Sequence, residues 1–230
     1  MTRKWLVGAL STMSIIGLSA GAHAGPIISA TSAVIDSGGP GFGTLTETFN
    51  QAGLLSGYTS GVTDFDTYLA TNPLHTTTFG GFEWFSNEGS TSAVVTYNLG
   101  SAQVIDALAL WNEESSGIGL LSLLTSLDGI TFTPLLNDVV PTDNPIPPET
   151  YGADIFSFAA LSAQFIRFEM GDCPQPVPGS FASCAIGEVA FRASQIQVPE
   201  PASFAIFGLG LAGLVCVAWR RRGAEPAKAA

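Results

Sequence analysis

Basic residues are what this sequence has least of. Between Gly25 and Val198 only Arg167 and Arg192 are cationic, against seventeen Asp and Glu, a net charge of −15. A surface of that sign repels phosphate backbones, so nucleic-acid binding is excluded. Histidine is almost missing too: His75 is the only one in this stretch, and it sits among threonines. Within the same stretch there is no G-x-S-x-G, no H-E-x-x-H, no P-loop and no dinucleotide fingerprint. The glycine-rich run 38–43 carries Pro40 and reads as a flexible loop. Helical periodicity of amphipathic length is also lacking. Together these absences point to a non-catalytic protein, with a glycan-active enzyme as the remote alternative.

The two ends are apolar and carry most of the positive charge. Arg3 and Lys4 precede an apolar run over 5–18, and Ala22-His23-Ala24 is a small-residue cleavage site, so residues 1–24 read as a secretory signal peptide. At the other end Pro199-Glu200-Pro201 is followed by an uncharged run over 202–219 and then by Arg220, Arg221 and Arg222. As a helix, that run would rise about 27 Å, close to the thickness of a bilayer's hydrocarbon core, with the arginines held on the cytoplasmic side and 223–230 as a cytoplasmic tail. This order of motif, helix and basic cluster over 199–222 resembles the PEP-CTERM sorting signal of Gram-negative bacteria. The resemblance implies an exosortase as processing partner, an inner-membrane intermediate, and delivery to the cell surface or a biofilm-type extracellular matrix. The competing reading is a plain tail anchor.

Cysteine is sparse as well. Cys216 lies inside the apolar tail, which leaves Cys173 and Cys184, with ten residues between them that include three prolines and Gly179. In an exported chain a disulfide is the expected state, stabilising by about 2–3 kcal/mol through loop closure. A metal site would need more Cys or His nearby.

Residues 25–198 read as one β-rich domain. The segment 93–99 alternates, with Val95, Tyr97 and Leu99 on one face. Gly100-Ser101 then reads as a turn and 104–111 as a buried strand. Segments 118–126 and 130–135 flank Asp128-Gly129, a signal for a two-residue type I′ hairpin. Further strands are expected at 154–158, 165–170 and 186–191, with weaker ones near Ala33 and at 45–49; 138–150, with four prolines, reads as a loop. The expectation is an all-β, antiparallel sandwich or jelly roll.

Five segments in order sharpen this: Tyr97-Asn98-Leu99-Gly100, 105–112 (IDALALWN), 126–132 (SLDGITF), Phe165-Ile166-Arg167-Phe168 and 186–191 (IGEVAF). Their order resembles the discoidin or coagulation-factor C-domain family over roughly 45–193. The resemblance implies a galactose-binding-like jelly roll and a carbohydrate ligand, an exopolysaccharide or envelope glycan. It also implies a structural calcium completed by Glu188, for which Asn50, Asp64 and Asp66 of an early loop offer hard oxygens. Asn98 stands where the family usually has an acid, and Leu127 is inserted before Asp128.

Sugar sites combine an aromatic ring with polar side chains. Trp84, between Glu83 and Glu88, and the strand end Asn112-Glu113 are the candidates; Trp111 fits the core better, and adjacent Glu113 and Glu114 point to opposite faces and cannot flank one bond. Arg167 shares a face with Phe165 and Glu169 and should pair with an acid. A structural or adhesive matrix protein with no discrete ligand site fits the same residues.

Overall fold

The computed structural model describes residues 25–77, 81–144, 150–175 and 181–194. The signal peptide, the sorting tail and its apolar helix lie outside the described residues. Among the described residues no helix is long and apolar enough to cross a membrane.

Nine strands, β1 (Ile27–Ile28), β2 (Ser32–Ser37), β3 (Phe42–Gly43), β4 (Trp84–Phe85), β5 (Ala93–Asn112), β6 (Leu120–Ser126), β7 (Thr133–Val139), β8 (Asp154–Gly171) and β9 (Ala185–Ala193), form one antiparallel sheet. The order is β3-β4-β9-β5-β8-β6-β7, with β1 also on β9 and β2 also on β5. The sheet folds over on itself because β5 and β8 are long and change partners midway. The first half of β5 pairs with β2 and the second half with β9, while β8 runs antiparallel beside both. The two halves become the layers of a sandwich. Tyr97, from the β2 side, packs 5.0 Å from Phe168 in its own layer and 6.5 Å from Phe191 across the core.

Alternation decides what fills the sandwich. Val95, Tyr97 and Leu99 of β5, Leu121 and Leu123 of β6, and Ile166 and Phe168 of β8 face inward to Leu108, Leu110, Val189 and Phe191. Each such side chain contributes about 1.5–3 kcal/mol through burial. A second cluster lies on the other side of the β9 layer, where α1 (Phe65–Leu69) and its neighbouring loops bring Tyr58, Phe65 and Tyr68 against Ala107, Ala109 and Trp111. Trp111 is thus core, and its Nε1 donates to the Pro73 carbonyl at 2.8 Å. Cys173 and Cys184 form the expected disulfide, with Cα atoms 5.0 Å apart.

Three local expectations are corrected. Gly100-Ser101 is no turn: β5 runs straight through, absorbing Gly100 at φ +84° while its pairing with β8 shifts register between Asn98 and Gln103. The segment 45–49 is a 3₁₀ turn (Leu45–Phe49), not a strand, because Glu47 Oε2 reaches back to accept the Thr44 N–H at 3.2 Å. Asp128-Gly129 does not make a two-residue hairpin. Only Gly129 has positive φ, whereas Asp128 Oδ1 accepts from Ile130 and Thr131 N–H at 2.8 Å, shaping a longer loop. Strand β7 therefore starts at Thr133 and extends into the segment expected as loop.

Candidate functional site

The rim residues singled out for sugar binding are closed. Trp84 has no exposed surface; it sits in β4 against β9, and its Nε1 donates to Pro40 O at 3.0 Å. Its ring has no free face on which a sugar could stack. Asn112 is equally buried and binds loops together: Nδ2 donates to Gln175 Oε1 at 2.7 Å and Thr142 O at 3.0 Å, and Oδ1 accepts from Ile118 N at 2.8 Å. Glu113 is turned inward, accepting from Ser115 N, Ser115 Oγ and Ser116 N at 2.5–2.9 Å. Its place at a strand end made it a candidate for sugar binding, but the backbone turn after it uses the carboxylate internally.

The proposed calcium ligands do not converge. Among the described residues no group of three or more His, Cys, Asp or Glu could hold a metal ion. Asp64 caps α1, accepting from Thr67 N at 2.8 Å, and the bonds to Thr67 hold its carboxyl below the usual range. Asp66 accepts from Arg192 Nη1 at 2.8 and 3.1 Å, while Asp106 accepts from Arg192 Nε at 2.6 Å. Asn50 Oδ1 accepts from Ala52 N at 2.8 Å. Glu188 is left in the interior, fully buried, with Oε2 accepting from Gln51 N at 2.9 Å and no hydrogen bond to Oε1 among the described residues. Burial pushes its carboxyl well above the ordinary range. The loop carboxylates are spent elsewhere, so the donor set does not fit a hard divalent ion.

An open groove on the outer face of the other layer is a better site. Because Val95 and Tyr97 point inward, Thr96 and Asn98 point out; by the same alternation Phe165 and Arg167 of β8 and Ser32, Val34 and Asp36 of β2 share that face. They line a depression of about 190 Å³. Its polar centre is a chain of contacts. Arg167 Nε donates to Thr96 Oγ1 at 3.1 Å, and Thr96 Oγ1 donates to Asp36 Oδ2 at 2.5 Å. Arg167 Nε lies 3.6 Å from Asp36 Oδ2, and its guanidinium carbon is 3.7 Å from the centroid of Phe132. Arg167 is thereby fixed through Nε and one face. Among the described residues its Nη atoms and Asp36 Oδ1 have no hydrogen-bond partner, so donors and an acceptor stand side by side at the groove. Sequence reasoning foresaw that Arg167 would pair with an acid and share a face with Phe165. It missed Asp36, Thr96 and Asn98, which meet it only through strand register.

A family model for the PEP-CTERM protein-sorting motif matches residues 197–222. No curated protein matches the chain. Among solved structures, the chain is similar to a variant of chitosan-binding module 1 from a chitosanase/glucanase of Paenibacillus sp. IK-5, at 18% identity over 74% of this chain and 99% of that one, with a TM-score of 0.49. It is also similar to the CBM32 module of AlyQ in complex with 4,5-unsaturated mannuronic acid (15% identity, 73% of this chain, 98% of that one, TM-score 0.44). A third is a CBM32 module from Clostridium perfringens in complex with GalNAc-β-1,3-galactose (15% identity, 48% and 75%, TM-score 0.39). The chain therefore carries a PEP-CTERM sorting motif, and its antiparallel sandwich has carbohydrate-binding modules among its structural neighbours.

Proposed function

We propose that this is an exported surface or matrix protein, processed by an exosortase at its C-terminal tail, whose sandwich binds carbohydrate in the Arg167 groove. The observation that carries the reading is the fixed Arg167–Thr96–Asp36 arrangement beside the exposed Val34 and the half-buried Phe165. A pair of sugar hydroxyls needs a donor and an acceptor close together, and apolar side chains can cover the carbon face of the ring. The one histidine of the domain is not part of the groove: His75 is fully buried against Tyr151 and Gly53.

A glycan array on the full chain in detergent tests this reading. Binding is expected for the wild type and lost in Arg167→Ala and Asp36→Ala, which lie on the surface and leave the fold intact. No glycan bound at all would favour the second reading, a structural matrix component, for which the acidic surface is the supporting observation. For the sorting step, intact mass of the surface form should show loss of the tail after Pro201; a retained tail would reduce the motif to an anchor.

A further inference from the structure

Resting on the carbohydrate reading, we infer that the groove takes an internal stretch of an uncharged polysaccharide chain, and neither a chain terminus nor an acidic glycan. Two open depressions adjoin along β2. The first, of about 190 Å³, is floored by Thr96, Asn98, Phe165 and Arg167. The second, of about 310 Å³, runs from Ile35 through Ser37 and Gly38 to Pro40. Asp36 lines both. It stands at their junction because β2 is bulged there: Ile35 pairs with Val95 and Ser37 with Val94, leaving Asp36 without an opposite number. Ala33 and Ile35 keep β2 packed on the core while Ser32, Val34, Asp36 and Ser37 stay exposed. Six residues of extended strand span about 20 Å, so the floor is longer than one sugar ring and is open to solvent. Such a floor has nothing to enclose a chain end, and a polymer can enter and leave it.

Charge decides the second half. The floor's only cation already lies 3.6 Å from the Asp36 carboxylate, so the pair is close to neutral. The other cation of the domain, Arg192, is held by Asp66 and Asp106. A uronate would gain the Nη edge of Arg167 but meet Asp36 and a domain of net charge −15. A hydroxyl pair can donate to Asp36 and accept from Arg167 without that repulsion.

The test is calorimetric titration of the full chain in detergent with cello-, laminari- and xylo-oligosaccharides of increasing length, and with oligouronates prepared from alginate. Affinity for one neutral series should rise about tenfold or more with length and then level off, and chemical reduction of the sugar end should not change it. The Ser37→Tyr variant, at an exposed position, should keep binding of the shortest ligand and lose the gain with length. Length-independent binding, or binding abolished by end reduction, would overturn the internal-chain inference alone. Oligouronates bound as tightly as neutral chains would overturn the charge inference alone. Absence of binding to every glycan would instead remove the carbohydrate reading on which both rest.

Discussion

Glu83 Oε1 lies 3.6 Å from His75 Nδ1 in the interior, yet the two are not an ion pair at neutral pH. Burial holds the imidazole down at about 4. Burial, reinforced by Glu113 and Glu114, pushes the Glu83 carboxyl up to about 9. Tyr151 Oη donates to Glu83 Oε1 at 3.3 Å, and His75 Nδ1 lies 2.9 Å from Thr76 O. The cluster is a neutral polar network, which is how such groups persist where water is excluded.

A pH dependence follows with a definite sign. Unfolding exposes Glu83, which then titrates at its ordinary value of 4.5. Between that value and about 9 the folded state holds a proton the unfolded state has released, so stability falls as pH rises. The slope is about 1.4 kcal/mol per pH unit for one proton. His75 acts oppositely, costing stability as pH falls from 6.5 towards 4. Thermal melts should therefore decline from neutral pH towards pH 9, and Glu83→Gln should make that decline shallower. An unchanged slope would mean Glu83 is ionised in the folded protein.

Glu188 separates a proton from a metal. Held protonated in the interior, it costs stability wherever the unfolded carboxyl has already ionised, so Glu188→Gln is expected to melt like the wild type near pH 4 and to raise the midpoint at neutral and alkaline pH. Chelation should leave the wild-type midpoint where it is. A calcium ligand would behave in the opposite way, with a lower midpoint in chelator and a comparable loss in the Gln variant.

Gly53 is required by packing against the same histidine. A Cβ there would stand 2.0 Å from His75 Nε2, inside a ring that has nowhere to move. Gly53→Ala should cost about 1–3 kcal/mol, read as a lower denaturation midpoint. The double variant with His75→Ala should recover part of that loss, because the ring is what the methyl meets.

Trp84→Ala should be a stability variant. A fully buried indole leaves a large cavity, and the expected cost is about 3–5 kcal/mol by chemical denaturation. Glycan affinity per folded molecule should not change. A selective loss of binding with stability intact would return Trp84 to the site.

Much of the sandwich could be read from alternation, because one buried face imposes period two: 93–99, 165–170 and 186–191 fall within β5, β8 and β9. Where reading failed, a local signal competed with a distant partner. Gly100-Ser101 has turn chemistry, but β8 runs opposite on both sides of it and keeps β5 extended. The Thr44-x-x-Glu47 spacing was visible as a capping box, and the alternation of 45–49 masked it. Asn112 and Glu113 were candidates for a sugar site at a strand end, and what buries Asn112 comes from Thr142, Asn144 and Gln175, far along the chain. The groove was least legible. Asp36, Thr96 and Arg167 meet only because β2, β5 and β8 adopt one register, and periodicity gives the face of a residue without naming its neighbour.

The shared ribbon of β5 and β8 has a mechanical consequence. The groove lies beside the first half of β5, and β9, the last described strand before the sorting tail, pairs with the second half. Because β9 runs antiparallel to β5 and Ala193 lies opposite Ile105, β9 ends beside the middle of β5, at the end of the β5–β9 ladder nearer the groove. A pull on that end would meet the β5–β9 ladder first at its Ile105–Ala193 pair, while the long pairing of β5 with β8 on its other edge would hold β5 in place.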